Sequence, residues 1–174
     1  MAASEPVPVM RASIVECWVF RATPANGVEI LLGRRASHRI FPGLWQCVTG
    51  RVEPGERVPM AALREVREET GLGEAEIEAF YDLDQIAPLY NEASDGVTFS
   101  AIFAVRVRPD AEARPSHEHD AQRWVPAPEV PAIAVWPAYA ESVRRITEVL
   151  ADPARERWFR LDAEGRRVAR LPSA

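Results

Sequence analysis

Lysine is absent from this sequence of 174 residues, so all 21 basic side chains are arginines, and 26 acidic side chains outnumber them. The formal net charge is −5 at pH 7. An acidic protein has no general electrostatic attraction to nucleic acid or to an anionic membrane surface. The charge balance therefore predicts neither a nucleic-acid partner nor a membrane partner.

Cysteine is scarce, and long apolar runs are absent. Cys17 and Cys47 form no C-x-x-C pair, and each lies in an apolar, strand-like segment, so we predict two buried free thiols. No apolar run approaches the length of about 18 residues that a membrane-spanning helix needs. The N-terminus shows no signal-peptide pattern. These absences predict a cytoplasmic protein.

The rest of the composition is that of an ordinary globular domain, with 47% hydrophobic and 27% charged residues. Apolar runs rich in β-branched residues predict strands over 12–21, 28–35, 44–49, 75–90, 97–108 and 122–125. Pro88 is expected to interrupt the fourth of these strands. Helical spacing predicts helices over 58–70 and 137–150. This order, without internal repeats, predicts an α/β (mixed α+β) fold with a mixed sheet between helices.

We divide the chain into three parts. Residues 1–11 lack periodicity and are predicted to be a flexible N-terminal arm, residues 12–152 the folded domain, and residues 153–174 a C-terminal extension. Within the extension, residues 158–171 could form a β-hairpin. The Asn26-Gly27 pair is the strongest turn signal between the first two strands.

The densest chemical signal lies within residues 50–72. On a helix over 58–70, Glu65, Glu68 and Glu69 share one face, because residues three and four positions apart are neighbours there. Like charges so placed oppose the helix by roughly 0.2–0.5 kcal/mol per pair. A bound Mg²⁺ or Mn²⁺ ion would turn this repulsion into attraction. The alternative is a solvated, charged helix face.

Further residues surround these acids at fixed spacing. Gly50, Glu56 and Arg64 precede them and Gly71 and Leu72 follow, so the stretch reads G-x5-E-x7-R-E-(apolar)-x-E-E-x-G-(apolar). This pattern resembles the Nudix box, the signature of the Nudix hydrolases. The resemblance implies a Nudix-type α/β/α sandwich with a central mixed β-sheet. It also implies hydrolysis of a pyrophosphate linkage in a nucleoside diphosphate joined to another group.

The resemblance also implies roles within the box. The groups expected to bind Mg²⁺, with Mn²⁺ as an alternative, are the carboxylates of Glu65, Glu68 and Glu69 and the backbone carbonyl of Gly50. Glu56 and Arg64 would pair to brace the box, which places Arg64 with the catalytic machinery. Gly71 would cap the C-terminus of the helix.

One more acid of interest lies outside the box. Glu118 belongs to an E-H-x4-W segment that ends at Trp124, and residues 44–50 read L-W-Q-C-V-T-G. Both segments resemble the dihydroneopterin-triphosphate and dATP pyrophosphohydrolase group of Nudix proteins. By this resemblance Glu118 is a metal ligand or the general base, whereas by its setting alone it could be a solvated loop acid. We interpret His117 and His119 as polar loop residues rather than zinc ligands.

Three side chains are candidates for substrate contact. Arg35 follows Arg34 at the end of a strand, where related Nudix enzymes often use the second arginine to hold phosphate, although it could equally be a surface arginine. Trp45 and Tyr90 could stack on a base or a pterin ring, although aromatic residues in strands more often belong to the core.

Together these features predict a Mg²⁺-dependent Nudix pyrophosphohydrolase that cleaves a nucleoside or pterin triphosphate to the monophosphate and pyrophosphate. Either Glu65 or Glu118 would be the general base. Two alternatives stay open. One is a Nudix hydrolase of dinucleoside polyphosphates or of nucleotide sugars of the ADP-ribose type. The other is a non-catalytic, nucleotide-sensing Nudix domain. The expected partner is a small nucleotide-type diphosphate, and a homodimer is compatible with the sequence.

Overall fold

The computed structural model describes residues 9–25 and 27–169. These residues form the strands β1 (Ile14–Thr23), β2 (Gly27–Arg35), β3 (Trp45–Gln46), β4 (Val48–Arg51), β5 (Ile77–Asn91), β6 (Gly96–Val107), β7 (His119–Pro126) and β8 (Arg160–Leu161). They also form the helices α1 (Val58–Thr70), α2 (Val130–Ile133), α3 (Pro137–Arg144) and α4 (Pro153–Phe159). A π-helical turn extends α3, and short 3-10 helices follow β5 and β7. Across these residues, every helix is too short or too polar to cross a bilayer.

The eight described strands belong to one mixed sheet with β1 near its centre. Along the sheet the order is β3, β2, β1, β6, β5 and β8, while β4 pairs with β1 and β7 pairs with β2. β1 runs parallel to β6, and the other pairings between these strands are antiparallel. Helices pack on both faces, with α1 on one and α3 on the other. The predicted mixed α/β fold with a central mixed sheet is confirmed.

The two faces of the sheet carry separate cores because successive strand residues point in opposite directions. In β1, Val15 and Cys17 are buried beneath α1, whereas Trp18 and Phe20 are buried on the opposite face beneath α3. Cys47 lies in the second of these cores. Both cysteines are buried and free, which confirms the prediction.

Helix α1 carries the acidic residues, and local sequence sets its ends. Pro59 lies in the first turn, where a missing N–H loses no helical hydrogen bond. Gly71 caps the C-terminus with a φ of 71°, and its N–H donates to the carbonyl of Arg67. Val66 is fully buried against the sheet, which contributes roughly 1.5–3 kcal/mol to stability. The predicted helix over 58–70 is confirmed at both ends.

The strand β5 is continuous, so the predicted interruption at Pro88 is wrong. Pro88 pairs with Phe99 of β6, whereas β8 pairs with β5 only nearer its N-terminal end. Proline is tolerated at an open strand edge because it lacks only the backbone donor. The irregularity lies instead at Asp84, which has a φ of 52° within a register shift between β5 and β6.

The C-terminal segment joins the sheet. Helix α4 continues to Phe159, so the first residues of the hairpin expected over 158–171 are helical. β8 then pairs with β5, and Leu161 bridges Arg167 across a turn. The last two residues of that segment, most of the predicted N-terminal arm, and Asn26 lie outside the described residues.

Candidate active site

A cavity of about 670 Å³ opens where the start of β1, the end of β4, the β5–β6 hairpin and the start of α3 meet. Small-molecule sites usually enclose about 300–1,000 Å³, so the volume suits a nucleotide-sized ligand. The charged residues of its wall are Glu16, Arg35, Arg39, Arg51, Glu65 and Glu118. Apolar residues of its wall include Ile40, Phe41, Leu44, Leu89, Trp136 and Pro137.

Glu65 reaches the cavity from α1 by lying directly against the backbone of Gly50. A Cβ atom at position 50 would lie 1.9 Å from Cδ of Glu65 and 2.0 Å from its Oε1, so only glycine leaves room for this contact. Gly50 itself is fixed in β4, opposite Val15 of β1. The structure thus brings together two groups of the box that were expected to bind a cation.

Arg64 contacts three acidic residues of the box, Glu56, Glu65 and Glu68. Its guanidinium contacts the two carboxylate oxygens of Glu56 at 3.0 and 3.1 Å, and it donates to Glu65 at 2.8 Å and to Glu68 at 3.1 Å. It also donates to the carbonyl of Arg51 at 2.9 Å. The contact with Glu56 raises the pKa of Arg64, and the same contact lowers the pKa of Glu56. Arg64 therefore ties β4 and the following loop to α1.

Glu69 lies beneath this cluster with only 3% of its area exposed. Its pKa is raised from 4.5 to about 9, first by burial and then by the negative charges of Glu65 and Glu118. The N–H of Thr49 donates to it and partly opposes the rise. Within the described part of the chain, its Oε2 has no hydrogen-bond partner. A buried carboxyl with an unused oxygen, repelled by two other acids, is one that a divalent cation would stabilise.

The carboxylates fit a divalent cation by their chemistry, although residues 9–25 and 27–169 hold no ready-made group of three converging ligands. Burial raises the pKa of Glu65, and the charges of Glu68 and Glu118 add to the rise. Glu68 lies at the solvent edge of this set, with 55% of its side chain exposed. Surplus negative charge with oxygen donors is the setting that Mg²⁺ and Mn²⁺ prefer.

Glu118 approaches the same cavity from the loop before β7. Its carboxylate forms an ion pair with Arg39, and its backbone carbonyl accepts a hydrogen bond from the N–H of Ala36. Because β7 pairs with the end of β2, this loop lies beside Arg35. One wall of the cavity therefore carries Arg35, Arg39 and Glu118 together.

His119 is buried, so its interpretation as a polar loop residue is wrong. It begins β7 opposite Arg35, and its ring occupies the space over Gly33, where a Cβ atom would lie 2.6 Å from it. Burial lowers the pKa of this imidazole, and its Nε2 lies 3.9 Å from Oε2 of Glu69. His117 is exposed.

Of the three side chains predicted to contact substrate, Arg35 lies in the cavity wall. Trp45 and Tyr90 are not among the described residues that line it. Trp45 is half-buried against the core beneath α3, and the guanidinium groups of Arg34 and Arg123 lie over its ring at 5.9 and 4.4 Å. Tyr90 is 63% exposed on the β5–β6 hairpin. Contact of either ring with a substrate therefore stays a prediction.

Lining residues that the sequence motifs did not single out include Glu16, Arg39, Phe41, Trp136 and Tyr139. Phe41 and Trp136 contact each other edge to face, with ring centroids 5.9 Å apart. A signal existed for Glu16, which is a charged residue inside an apolar strand. The aromatic residues come from distant parts of the chain, so only the fold brings them to the box.

Comparison with known proteins agrees with this geometry. The family model for the NUDIX domain matches residues 10–146. An octanoyltransferase of Myxococcus xanthus is 38% identical over 123 residues, which are 68% of this chain and 32% of that protein. This chain thus spans about a third of the length of that curated relative.

Solved structures share the fold. A C. elegans Ap4A hydrolase in a binary complex has a TM-score of 0.67 at 23% identity, over 81% of this chain and 98% of that one. The E. coli dihydroneopterin triphosphate pyrophosphohydrolase has a TM-score of 0.64 at 21% identity, over 77% and 93%. Because the family model spans most of the chain and the structure assembles the box around Gly50 and Glu65, this protein belongs to the Nudix family.

Proposed function

We propose that this chain is a divalent-cation-dependent pyrophosphohydrolase that cleaves a nucleoside or pterin triphosphate to the monophosphate and pyrophosphate. The observation that carries the proposal is the shared cavity, in which Glu65 and Glu118 line the same space as three arginines and a group of aromatic side chains. Carboxylates suit a cation, arginines suit phosphate, and aromatic rings suit a base.

The groups that would hold Mg²⁺, with Mn²⁺ as an alternative, are Glu65, Glu69 and the backbone carbonyl of Gly50. When bound, the cation neutralises phosphate charge and makes water easier to deprotonate. Glu68 accepts a hydrogen bond from Arg64, so it would bind the cation only after losing that hydrogen bond. Arg64 and Glu56 would hold the acids in place without touching the substrate.

Glu118 is our candidate for the general base. Glu65 is bonded to Arg64 and rests on Gly50, so a cation and a guanidinium together would occupy most of its lone pairs. Glu118 forms an ion pair with Arg39. Phosphate oxygens arriving at Arg39 would compete for its guanidinium and free the carboxylate of Glu118 to accept a proton from water.

The remaining residues of the wall would bind the leaving and retained parts of the substrate. Arg35 and Arg39 supply charged donors for phosphate oxygens, where negative charge develops as the bond breaks. Phe41 and Trp136 supply apolar ring surface at the same cavity. A triphosphate joined to a flat ring therefore matches the charged and the apolar lining together.

The test is turnover of a substrate panel in Mg²⁺ by this chain. We expect pyrophosphate and a monophosphate from a nucleoside or pterin triphosphate, no turnover in excess chelator, and a loss of at least about 10²-fold in Glu65→Gln, which removes a carboxylate that would hold the cation. Glu74→Gln, a change at an exposed carboxylate away from the cavity, is the matched control and should be unaffected.

Other outcomes of the panel would change the proposal in defined ways. Turnover of ADP-ribose or a dinucleoside polyphosphate alone would keep the reaction class and replace the substrate. Nucleotide binding without turnover would identify a sensing domain. Full activity in excess chelator would refute the cation-dependent mechanism.

A further inference from the structure

Glu16 is a carboxylate inside an apolar strand. It lies in β1 between the buried residues Val15 and Cys17. Strand alternation turns it to the face that carries Trp18, beneath α3, and away from the acids of α1. It lines the cavity and was not part of any motif. Glu16 therefore needs an explanation separate from the box.

The surroundings of Glu16 leave one of its oxygens unused. Ser100 of β6 supplies a side-chain hydrogen bond, while Oε2 is buried and has no partner among the residues described. Burial raises the pKa of this carboxyl, and the bond from Ser100 opposes the rise. On the same face, the thiol of Cys47 donates to the hydroxyl of Tyr139 rather than to Glu16.

A half-satisfied buried carboxyl works against folding, because it gives up water without gaining a full set of partners. A β-branched apolar residue would fit this strand position without that loss. A carboxylate with an unpaired, enclosed oxygen at the wall of a ligand-sized cavity gains the missing partner when the side chain turns toward a ligand. The competing explanation is structural, namely that Glu16 serves only to link β1 to β6 through Ser100.

The position of Glu16 suits contact with the ring of a substrate. In the antiparallel pairing of β1 with β4, Glu16 lies opposite Thr49, and Val15 opposite Gly50. The carboxyl is thus one register step from the carbonyl proposed to bind the cation, within the reach of a single nucleotide. The apolar wall around Leu89 and Trp136 borders the same space.

We propose that Glu16 selects the substrate's ring by accepting hydrogen bonds from two adjacent donors, a ring N–H and the neighbouring exocyclic amino group. Guanine nucleotides and pterins share this edge. A carboxylate has acceptors only, so it matches two donors side by side. Adenine and cytosine present an amino donor beside a ring acceptor, which would place two lone pairs against each other. This inference rests on the proposed function and adds a substrate class to it.

The test compares kcat/KM of the full chain in Mg²⁺ for GTP, ITP, ATP and dihydroneopterin triphosphate. ITP differs from GTP only by lacking the amino group, so we expect the wild type to prefer GTP by about 10- to 100-fold. Glu16→Gln keeps the side-chain volume but sets an amide N–H₂ against one donor. The variant should lower kcat/KM for GTP at least about 10-fold and leave kcat/KM for ITP nearly unchanged. The ratio of kcat/KM for ATP to that for GTP should therefore rise. The better substrate of GTP and the pterin identifies the natural ring.

Ser100→Ala is the matched control, since it removes the strand link and keeps the carboxylate. If Glu16 has only a structural role, both variants should lower the melting temperature and reduce kcat/KM for every substrate by the same factor. That result would overturn the inference. Wild-type turnover that does not distinguish GTP from ITP, or that is confined to adenine or pyrimidine triphosphates, would also overturn it while leaving the proposed function intact.

Failure of the proposed function looks different. If no triphosphate is cleaved in Mg²⁺, calorimetric binding of GMP and IMP to the wild type and to Glu16→Gln still tests Glu16. Tighter binding of GMP than of IMP, lost in the variant, would support ring selection by this carboxyl. Equal binding of the two would refute it.

Discussion

Replacing Gly50 with alanine tests the contact on which the candidate site depends. The added Cβ would lie 1.9 Å from Cδ of Glu65 and 2.3 Å from its Cγ. Gly50 is not among the glycines with positive φ, so alanine should meet no backbone strain at this position. The substitution should therefore displace the Glu65 carboxylate and leave the backbone conformation at position 50 unchanged.

The size of the displacement sets the expected loss. The carboxyl carbon must move by about 1.5 Å, the difference between 1.9 Å and the 3.4 Å at which ordinary contact begins. Misplacing a catalytic group by about 1 Å can cost about 10²-fold in rate, which is about 2.7 kcal/mol in the barrier. The displaced atoms end a flexible side chain, so the free energy of unfolding should fall by only about 1 kcal/mol, the low end for overpacking.

The assay is kcat and KM on the best triphosphate, with Mn²⁺ affinity and urea unfolding measured on the same samples. Gly73→Ala is the matched control, because the nearest atom to its new Cβ is 4.0 Å away and its φ is not positive. A folded Gly50→Ala protein whose kcat/KM stays within about twofold of the wild type would refute the reasoning, since Glu65 would then need no fixed position.

Three further changes probe the same site. In the metal-free protein, stability should fall as pH rises from 4.5 toward 9, because Glu69 has a pKa raised from 4.5 to about 9 and the fold favours its protonated form. Thermal unfolding in chelator should show this slope for the wild type and a weaker one for Glu69→Gln; equal slopes would contradict it. Glu118→Gln should lower kcat by about 10- to 10³-fold with little change in apparent Mg²⁺ affinity, whereas rescue by high Mg²⁺ would make Glu118 a metal ligand. Arg64→Lys should lose the two-oxygen contact with Glu56 and reduce the free energy of unfolding by about 1.5–3 kcal/mol in urea titrations; an unchanged value would show that the contact adds no stability.

Local patterns in the sequence were enough to predict helix α1 and most of the strands. Proline in the first turn and glycine in a left-handed C-cap are local requirements, so Pro59 and Gly71 set the ends of α1 without help from the rest of the fold. The spacing of the box likewise depends on residues close in sequence, which is why it predicted the family. Long-range pairing played no part in either inference.

Which residues meet at the cavity depends on pairings between distant strands. β1 pairs with β4 and β6, which brings Glu16 of the first strand toward Gly50 and Ser100. The aromatic residues of the cavity wall are Phe41 in a loop, Trp136 at the N-cap of α3 and Tyr139 within α3, so no strand pattern in the sequence could indicate them.

The sequence by itself determined the acidic residues of α1, because they follow one another at helical spacing. Only the tertiary structure decided their surroundings. Glu69 is buried with an unpaired oxygen, His119 is packed over Gly33, and Glu16 lines the cavity, because each is enclosed by elements far away in the chain. The burial of these side chains and the repulsion between their charges depend on the surrounding tertiary structure, which residue spacing does not specify.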